Sequence, residues 1–268
     1  MIKNVLITGS HGFVGNKISA ELDKKFNLIR PTKYELDLLD FKQTEEYFLA
    51  NSIDAVVHCA LTGREVLFSV DPTFLSDGLI MFRNLYHNRD RYKLFVNLGT
   101  AYELDLTKSH NLVNEDEFLN HLPLPSYGLA KNLIARTCRE TNNFYNLRLF
   151  GVFHEDEKDL RFFKRVKLAD QVVIENDQYL DYIYLLDIVP MIEKILNLQS
   201  NHKDINMVYE QKYKLSEMAF MLCDVLGVDK NKISIKNHNG RNLTGDWTKL
   251  KSYNLSLIGL ANGFRNYL

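Results

Sequence analysis

"VLITGSHGFVG", residues 5–15, is the stretch of sequence that decides the fold. A short apolar run breaks here into three glycines spaced three apart, and apolar residues then repeat at helical spacing. Between a strand and a helix, Gly9 would permit a tight turn, Gly12 would admit a pyrophosphate, and Gly15 would let the helix pack on the strand. The pattern predicts a dinucleotide site at a helix N-terminus, with a glycine-rich structural turn as the alternative.

Composition narrows the classes of partner. The 268 residues carry a net charge of −1 and no block of Lys and Arg, which argues against nucleic acid and anionic lipid. Cys59, Cys138 and Cys223 lie far apart in no metal-ligand or disulfide pattern, so we expect reduced core thiols and no metal site. The first apolar run is too short for a signal peptide, and no stretch approaches the ~18 apolar residues of a membrane span. We therefore expect a soluble cytoplasmic protein with no membrane partner.

Short apolar runs alternate with amphipathic segments in the first half of the chain, as in a parallel sheet covered by helices. After residue 149 the order becomes irregular and more charged. The predicted strands are residues 4–8, 27–30, 55–59, 94–98, 145–149, 171–175 and 180–186, and a helix is predicted over residues 215–226.

These elements predict an α/β fold built on a doubly wound parallel (Rossmann) sheet. Residues 1–150 form the predicted dinucleotide-binding domain, and residues 181–196 return to its sheet. A smaller, non-contiguous substrate-binding lobe is predicted from residues 151–180 and 197–268.

The end of the second strand should select the cofactor. A carboxylate there binds the ribose 2′-hydroxyl of NAD, whereas a cation accommodates the 2′-phosphate of NADP. The sequence places Arg30 and Lys33 at this point and no acid before Glu35. Arginine grips phosphate with two hydrogen bonds, so NADP(H) is favoured, and NAD(H) stays open. The alternative is a solvated basic turn.

A second motif follows the predicted fourth strand. Tyr127 and Lys131 stand one helical turn apart, where an ammonium ~4 Å from a phenol would lower its pKa from ~10 toward neutrality. Such a tyrosine can exchange a proton with a carbonyl or alcohol while hydride moves to or from nicotinamide. Thr100, just past the end of the fourth strand, could orient the reacting oxygen. A Y-x-x-x-K match also arises by chance, so its position after the glycine turn carries the argument.

In this order the motifs resemble those of the extended short-chain dehydrogenase/reductases, which comprise NAD(P)-dependent sugar-nucleotide epimerases, dehydratases and reductases. The resemblance spans nearly the whole chain. The matching segments are residues 8–15 (T-G-x-x-G-F-x-G), 37–38 (adenine contact), 54–60 (D-x-V-x-H-x-A), Thr100 with Tyr127 and Lys131, 147–153 (L-R-x-x-N-V-Y) and 181–187 (D-F-I-x-V-x-D).

The departures from the family pattern narrow the activity. Ala101 and Tyr102 occupy the place of the Asp-Glu pair that 4,6-dehydratases need, which argues against dehydration. Gly78 and Gly151 stand where the family usually carries Asn. The short second lobe, Arg30 and residues 243–250 are most similar to GDP-fucose-synthase-type reductases.

The resemblance implies an NADP(H)-dependent oxidoreductase that reduces a 4-keto-deoxysugar nucleotide for surface polysaccharide synthesis. A redox-neutral NAD(P)-dependent epimerase is the alternative, and a non-catalytic NAD(P)-sensing protein is a lesser one. A homodimer is a further expectation. The expected catalytic residues are Thr100, Tyr127 and Lys131.

Two further sets of residues complete the predicted site. His154 is considered as a proton donor, against an exposed loop residue, and His11 as a contact of the 2′-phosphate, against a solvent-facing side chain. The expected cofactor-binding residues are Gly9, His11, Gly12, Phe13, Val14, Gly15, Arg30, Asp37, Leu38, Cys59, Ala60, Tyr127 and Lys131. The expected substrate-binding residues are Thr100, Ala101, Tyr102, His154 and Arg161.

Overall fold

The structure is a computed structural model that describes residues 1–61 and 71–268. The strands are β1 (Asn4–Thr8), β2 (Asn27–Ile29), β3 (Ala55–His58), β4 (Leu94–Thr100), β5 (His110–Val113), β6 (Phe144–Leu149), β7 (Val152–Phe153), β8 (Val172–Asn176), β9 (Tyr179–Leu180), β10 (Ile183–Tyr184), β11 (Asp204–Met207), β12 (Tyr213–Lys214), β13 (Ile233–Asn237) and β14 (Leu243–Gly245). The α-helices are α1 (Phe13–Leu22), α2 (Phe41–Ala50), α3 (Thr73–His87), α4 (Ser126–Glu140), α5 (Phe162–Leu168), α6 (Val189–Leu196), α7 (Leu215–Leu226), α8 (Thr248–Lys251) and α9 (Leu260–Arg265).

Six strands form one sheet in the order β11-β6-β4-β3-β1-β2. The pairings of β1 with β2, β1 with β3, and β3 with β4 are parallel. The strand β2 pairs with one edge of β1, and the chain then crosses over so that β3 pairs with the opposite edge of β1. This crossing creates a switch point at the carboxyl end of β1, where open α/β sheets bind ligands. The predicted doubly wound parallel sheet is confirmed.

Helices cover this sheet in two groups. The helix α1 packs against α6, whereas α3 packs against both α2 and α4. Alternate strand residues such as Leu6, Val56 and Phe95 belong to one buried cluster with Met81 of α3 and Ile134 of α4. The strands are buried on both faces, which accounts for their continuous apolar sequences.

The chain divides into two compact units. The first comprises Met1–Leu106, Asp116–Arg148 and Val189–Ile205, and the second comprises Thr107–Glu115, Leu149–Ile188 and Asn206–Leu268. The second unit is discontinuous in sequence, and its boundaries differ from the predicted ones. Residues 107–115 belong to it because β5 pairs with β14, and residues 189–205, not 181–196, belong to the first unit.

The second unit has its own aromatic core. Phe153, Phe163, Tyr184, Phe264 and Tyr267 pack together with the apolar face of α7. The helix predicted over residues 215–226 is found with those bounds. Three small sheets surround this core, in the orders β10-β7, β12-β9-β14-β5 and β13-β8.

The strand predicted over residues 180–186 is wrong in extent. It is split into β9 and β10, and a 3-10 turn, Leu185–Ile188, follows. The break lies at Asp181, whose buried carboxylate accepts hydrogen bonds from Lys212 Nζ (2.8 Å) and Gly245 N (2.8 Å). A buried carboxylate must be paired, and this requirement overrides the apolar pattern of the run.

Residues 1–61 and 71–268 contain neither a candidate membrane-spanning helix nor a candidate metal-binding cluster. No helix there is long and apolar enough to cross a membrane. The same residues contain no group of three or more His, Cys, Asp or Glu side chains that could hold a metal ion.

Candidate active site

The glycine turn between β1 and α1 is built so that a ligand can approach its backbone. Gly9 has φ +66°, and a Cβ there would lie 2.7 Å from Ala60 Cα. A Cβ at Gly15 would overlap the carbonyl oxygen of Gly9, so α1 packs directly on the turn. Gly12 N donates to that same carbonyl oxygen (2.9 Å) and is the N-cap residue of α1. These are the conditions for a pyrophosphate-binding turn at a helix N-terminus.

The turn is anchored to the end of β3. Thr8 Oγ1 lies 2.8 Å from His58 Nδ1 and accepts a hydrogen bond from Ala60 N (3.3 Å). Burial, reinforced by the positive charge of Lys131, lowers the pKa of His58 to about 3. The imidazole is therefore neutral, and its hydrogen bond with Thr8 joins the end of β3 to the end of β1.

A cavity of about 660 Å³ opens at this turn. Its volume lies within the range of small-molecule and cofactor sites. It brings together ten of the residues expected to bind the cofactor: Gly9, His11, Gly12, Phe13, Val14, Gly15, Asp37, Leu38, Cys59 and Ala60. Cys59 is partly exposed here, whereas Cys138 and Cys223 are buried free thiols.

The cation on the cavity wall is Lys33. Its Nζ lies 3.8 Å from Asp37 Oδ2, and both residues line the cavity. Arg30, the expected phosphate ligand, is not among the described lining residues, and its Nη1 lies 3.5 Å from Asp23 Oδ2. His11 lines the cavity beside Ser10, whose Oγ is 3.2 Å from His11 Nδ1. Of the three residues expected near a 2′-phosphate, Lys33 and His11 line this cavity and Arg30 is not among its described lining residues.

Several lining residues were absent from the predicted set. Pro31, Leu36 and Leu39 belong to the segment after β2, whose apolar residues gave no motif to recognise. Asp77 and Met81 stand one turn apart on α3, and this spacing indicates that they share one face of the helix. The remaining additions are Thr8 and Leu61, whereas Lys33 is one of the two cations that the sequence places after the second strand for a 2′-phosphate.

The predicted catalytic residues meet at the end of β4. Thr100 is the last residue of β4 rather than the residue after it, and its side chain lies close enough to that of Tyr127 to lower the pKa of the phenol. The helix α4 begins at Ser126 after Pro125, so Tyr127 and Lys131 lie one turn apart in its first two turns. All three side chains are buried.

The pKa of Tyr127 is shifted in the direction opposite to the predicted one. Burial raises the pKa of Tyr127 above its ordinary value, the neighbouring Thr100 hydroxyl group opposes this, and the charge of Glu103 adds to it. Lys131 Nζ donates to the carbonyl oxygen of Leu98 (2.8 Å), and burial lowers its own pKa. Tyr127 is therefore a protonated phenol at neutral pH, the state that a proton donor requires.

Aromatic rings enclose the tyrosine. Tyr102 and Phe74 present their rings edge-on to Tyr127 at centroid distances of 5.8 and 6.3 Å. Ala101 is buried beneath Tyr102 in a 3-10 turn, Ala101–Glu103. A methyl group and a ring therefore occupy this turn, and neither can donate or accept a proton as a carboxyl group can.

His154 and Arg161 belong to the second unit. His154 is 3% exposed, its ring stacks on Tyr184 at 5.4 Å, and its Nδ1 accepts from Asp156 N (3.1 Å). The exposed-loop alternative for His154 is thus wrong. Arg161 Nε donates to Glu157 Oε2 (3.0 Å). Their part in substrate binding stays a prediction.

Gly151 is explained by its neighbour. A Cβ there would lie 2.6 Å from the ring of Tyr182, so the ring fills the space that an Asn side chain would need. The absence of Asn from this motif is therefore a packing requirement of the second unit.

Comparison with known families agrees with this geometry. The model of the NAD dependent epimerase/dehydratase family matches residues 5–208. The chain belongs to this family.

Individual relatives are reductases and synthases of nucleotide sugars. The chain is 25% identical over 256 residues to a GDP-L-colitose synthase of Yersinia pseudotuberculosis, covering 83% of this chain and 82% of that protein. It is 29% identical over 155 residues to a GDP-L-fucose synthase of Azorhizobium caulinodans, covering 54% and 48%. The fold is similar to that of a GDP-mannoheptose C4 reductase from Campylobacter jejuni with NADP bound, with a TM-score of 0.84, 17% identity and coverage of 99% and 97%. The predicted resemblance to this group is confirmed.

Proposed function

We propose that this protein is an NADP(H)-dependent oxidoreductase that reduces a keto group, at C4 of a deoxysugar, on a nucleotide-linked sugar used for surface polysaccharide synthesis. The observation that carries the proposal is that Tyr127 and Lys131 lie one helical turn apart at the start of α4 and are buried, as is the neighbouring Thr100 at the end of β4. All three lie in the same unit as the glycine turn and its cavity.

The cavity residues would hold the dinucleotide. The α1 N-terminus and the turn from Gly9 to Gly15 suit the pyrophosphate, and Asp37 and Leu38 suit the adenosine half. Lys33 favours a 2′-phosphate and hence NADP(H) over NAD(H). The relative crystallised with NADP supports this choice.

The chemistry divides between cofactor and protein. Bound NADPH supplies hydride from its nicotinamide. Thr100 hydrogen-bonds the substrate carbonyl oxygen, and Tyr127, kept protonated by burial, donates its phenolic proton to that oxygen as the alcohol forms. The positive charge of Lys131 acts to lower the pKa values of the neighbouring His58 and Cys59. The same ammonium stabilises the phenolate that Tyr127 becomes after it has donated its proton.

The three thiols are free, which supports a reducing compartment and the proposed cytoplasmic location. The proposed partner is the nucleotide-linked sugar. A homodimer remains a prediction that light scattering on the purified protein would test.

Turnover of reduced nicotinamide tests the function directly. Purified protein is mixed with NADPH and a 4-keto-deoxysugar nucleotide, and nicotinamide absorbance and sugar products are followed together. Stoichiometric NADPH oxidation with formation of the alcohol is expected. Conversion of the sugar to an isomer without net absorbance change would identify the epimerase alternative instead. Dinucleotide binding with neither sugar reaction would favour the sensing protein.

A further inference from the structure

Glu103 closes the turn that carries Thr100. Its Oε1 accepts a hydrogen bond from Thr100 N (2.9 Å), while Tyr102 N donates to Thr100 Oγ1 (3.3 Å). This reciprocal arrangement is a capping box, here closing a 3-10 turn. The box restrains both the backbone and the hydroxyl group of Thr100.

The carboxylate of Glu103 is fully buried and is held from the far side by a cation. Arg148 Nε donates to Glu103 Oε2 (2.7 Å), and Arg148 Nη2 donates to Asp204 Oδ2 (2.9 Å). Asn146 Nδ2 lies 3.3 Å from Glu103 Oε2 and 3.1 Å from Asp204 Oδ1. Glu103 is 0% and Arg148 1% exposed, so water does not screen the pair.

Glu103 is also joined to the helix that carries the tyrosine. Its carbonyl oxygen accepts from Asn132 Nδ2 (2.7 Å), and Asn132 follows Lys131 on α4. The strand makes room for the carboxylate at Gly99, where a Cβ would overlap Glu103 Oε1. One residue therefore connects the end of β4, α4 and the Arg148–Asp204 pair.

Such a buried ionic cluster is a costly way to close a short turn. Apolar residues of similar volume often stabilise a core as well as a buried ion pair does, or better. An ionic cluster does, however, restrict geometry, because each hydrogen bond has a narrow range of distance and angle. What this cluster restricts is the position of Thr100, whose backbone nitrogen donates to Glu103.

We infer that Glu103 is a positioning residue: its carboxylate, held by Arg148, fixes the Thr100 turn and so the position of the Thr100 hydroxyl group beside Tyr127. The inference rests on the proposed function for its effect on turnover. It adds to the active site a residue that lies outside the cofactor cavity lining and acts through Thr100.

The test compares three single variants. Glu103→Leu removes the carboxylate, and Glu103→Gln keeps the volume but presents an amide to the donors of Arg148. Asp54→Asn is the matched control, because Asp54 also accepts from backbone nitrogens (Lys3, 2.9 Å; Asn4, 3.1 Å) and from Lys93 (2.8 Å). Asp54 precedes β3, at the amino edge of the sheet, whereas Thr100 ends β4 at the carboxyl edge.

We expect Glu103→Leu to lower kcat on the order of 100-fold, as small displacements of reacting groups do, with NADPH affinity unchanged. Glu103→Gln should lower kcat less and still bind NADPH, and it serves as the informative variant if Glu103→Leu does not fold. Asp54→Asn should lower the melting temperature while leaving kcat unchanged. Folded Glu103 variants with the kcat of wild type would overturn the inference.

A double-mutant cycle with Thr100→Val separates positioning from general destabilisation. If Glu103 acts through Thr100, then Glu103→Gln adds little further loss of kcat once the hydroxyl is gone. If the double variant loses kcat by the product of the two single-variant factors, the two residues act independently and the inference is overturned.

A measurement without turnover separates this inference from the proposed function. 3-Fluorotyrosine is placed at position 127 of the full chain, and its fluorine NMR signal is recorded. Glu103→Gln and Thr100→Val should shift this signal in the same direction, and Asp54→Asn should not. That result in a protein with no reductase activity would reject the proposed function and retain the positioning role. An unmoved signal in Glu103→Gln would reject the positioning role even if wild type is a reductase.

Discussion

Lys131 Nζ lies 2.8 Å from the carbonyl oxygen of Leu98 and donates a hydrogen bond to it. The ammonium of α4 is thereby tied to β4, two residues before Thr100. Burial dominates at this position, so the pKa of Tyr127 is raised and that of Lys131 is lowered. Lys131 is therefore held against β4 by this hydrogen bond, and Tyr127 keeps its proton.

Replacing Tyr127 with Phe tests the proton donor. The ring and its packing against Tyr102 are preserved, but the hydroxyl group is lost. Because general acid catalysis typically contributes about 10²- to 10⁴-fold, kcat should fall by a factor in that range. NADPH binding, measured by the change in cofactor fluorescence, should be retained. Turnover equal to wild type would contradict the assignment.

The pH dependence of turnover tests the direction of the tyrosine's pKa. Reduction needs protonated Tyr127, and a pKa raised above its ordinary ~10 keeps the proton on as the pH rises. The kcat for NADPH oxidation should therefore stay level from about pH 7 to about pH 9. The pattern predicted from the Tyr127 and Lys131 spacing alone is different, with a fall centred near neutrality. Observation of that fall would contradict the structural account.

Cofactor preference tests the basic turn after β2. Lys33 faces the cavity, whereas Arg30 lies beside Asp23. Lys33→Ala should weaken NADPH binding about 10- to 100-fold, as expected for loss of a charged hydrogen bond, and should affect NADH less. Arg30→Ala is the matched control and should change neither dissociation constant appreciably. Titration of both dinucleotides by fluorescence gives the four constants, and a larger effect from Arg30→Ala would reverse the assignment.

The glycine turn can be tested by adding one methyl group. A Cβ at Gly15 would overlap the Gly9 carbonyl, so Gly15→Ala should displace the start of α1 and abolish binding of both NADPH and NADH. Gly227→Ala is the control, since Gly227 has φ +66° but no heavy atom near the added Cβ. That change should cost about 1–2 kcal/mol of stability, measured by urea unfolding, and leave dinucleotide binding intact. Equal loss of binding in both variants would contradict a local role for Gly15.

Much of the first unit follows from local sequence. Continuous apolar runs predict strands buried on both faces, and the spacing of Gly9, Gly12 and Gly15 predicts the turn, because glycine alone tolerates the conformation and the close contacts found there. The helical spacing of Tyr127 and Lys131 likewise follows from the 3.6-residue period. These features depend on residues a few positions apart.

Other features depend on residues distant in sequence. Glu103 carries a local signal, since Thr100 and Glu103 have the T-x-x-E spacing of a capping box, but its burial against Arg148 comes from the pairing of β4 with β6. Lys33 lines the cavity and Arg30 is not among its described lining residues. This difference depends on where β2 ends and on how the chain turns after it.

The sequence by itself determined the sheet, the glycine turn and the helical spacing of Tyr127 and Lys131, because short-range periodicity and backbone sterics specify them. Only the tertiary structure decided the charge states and contacts of those side chains. Burial raises the pKa of Tyr127 against the expected influence of Lys131, and the Leu98 carbonyl and Glu103 fix where Lys131 and Thr100 lie. Desolvation and long-range hydrogen bonds arise only when distant segments pack together.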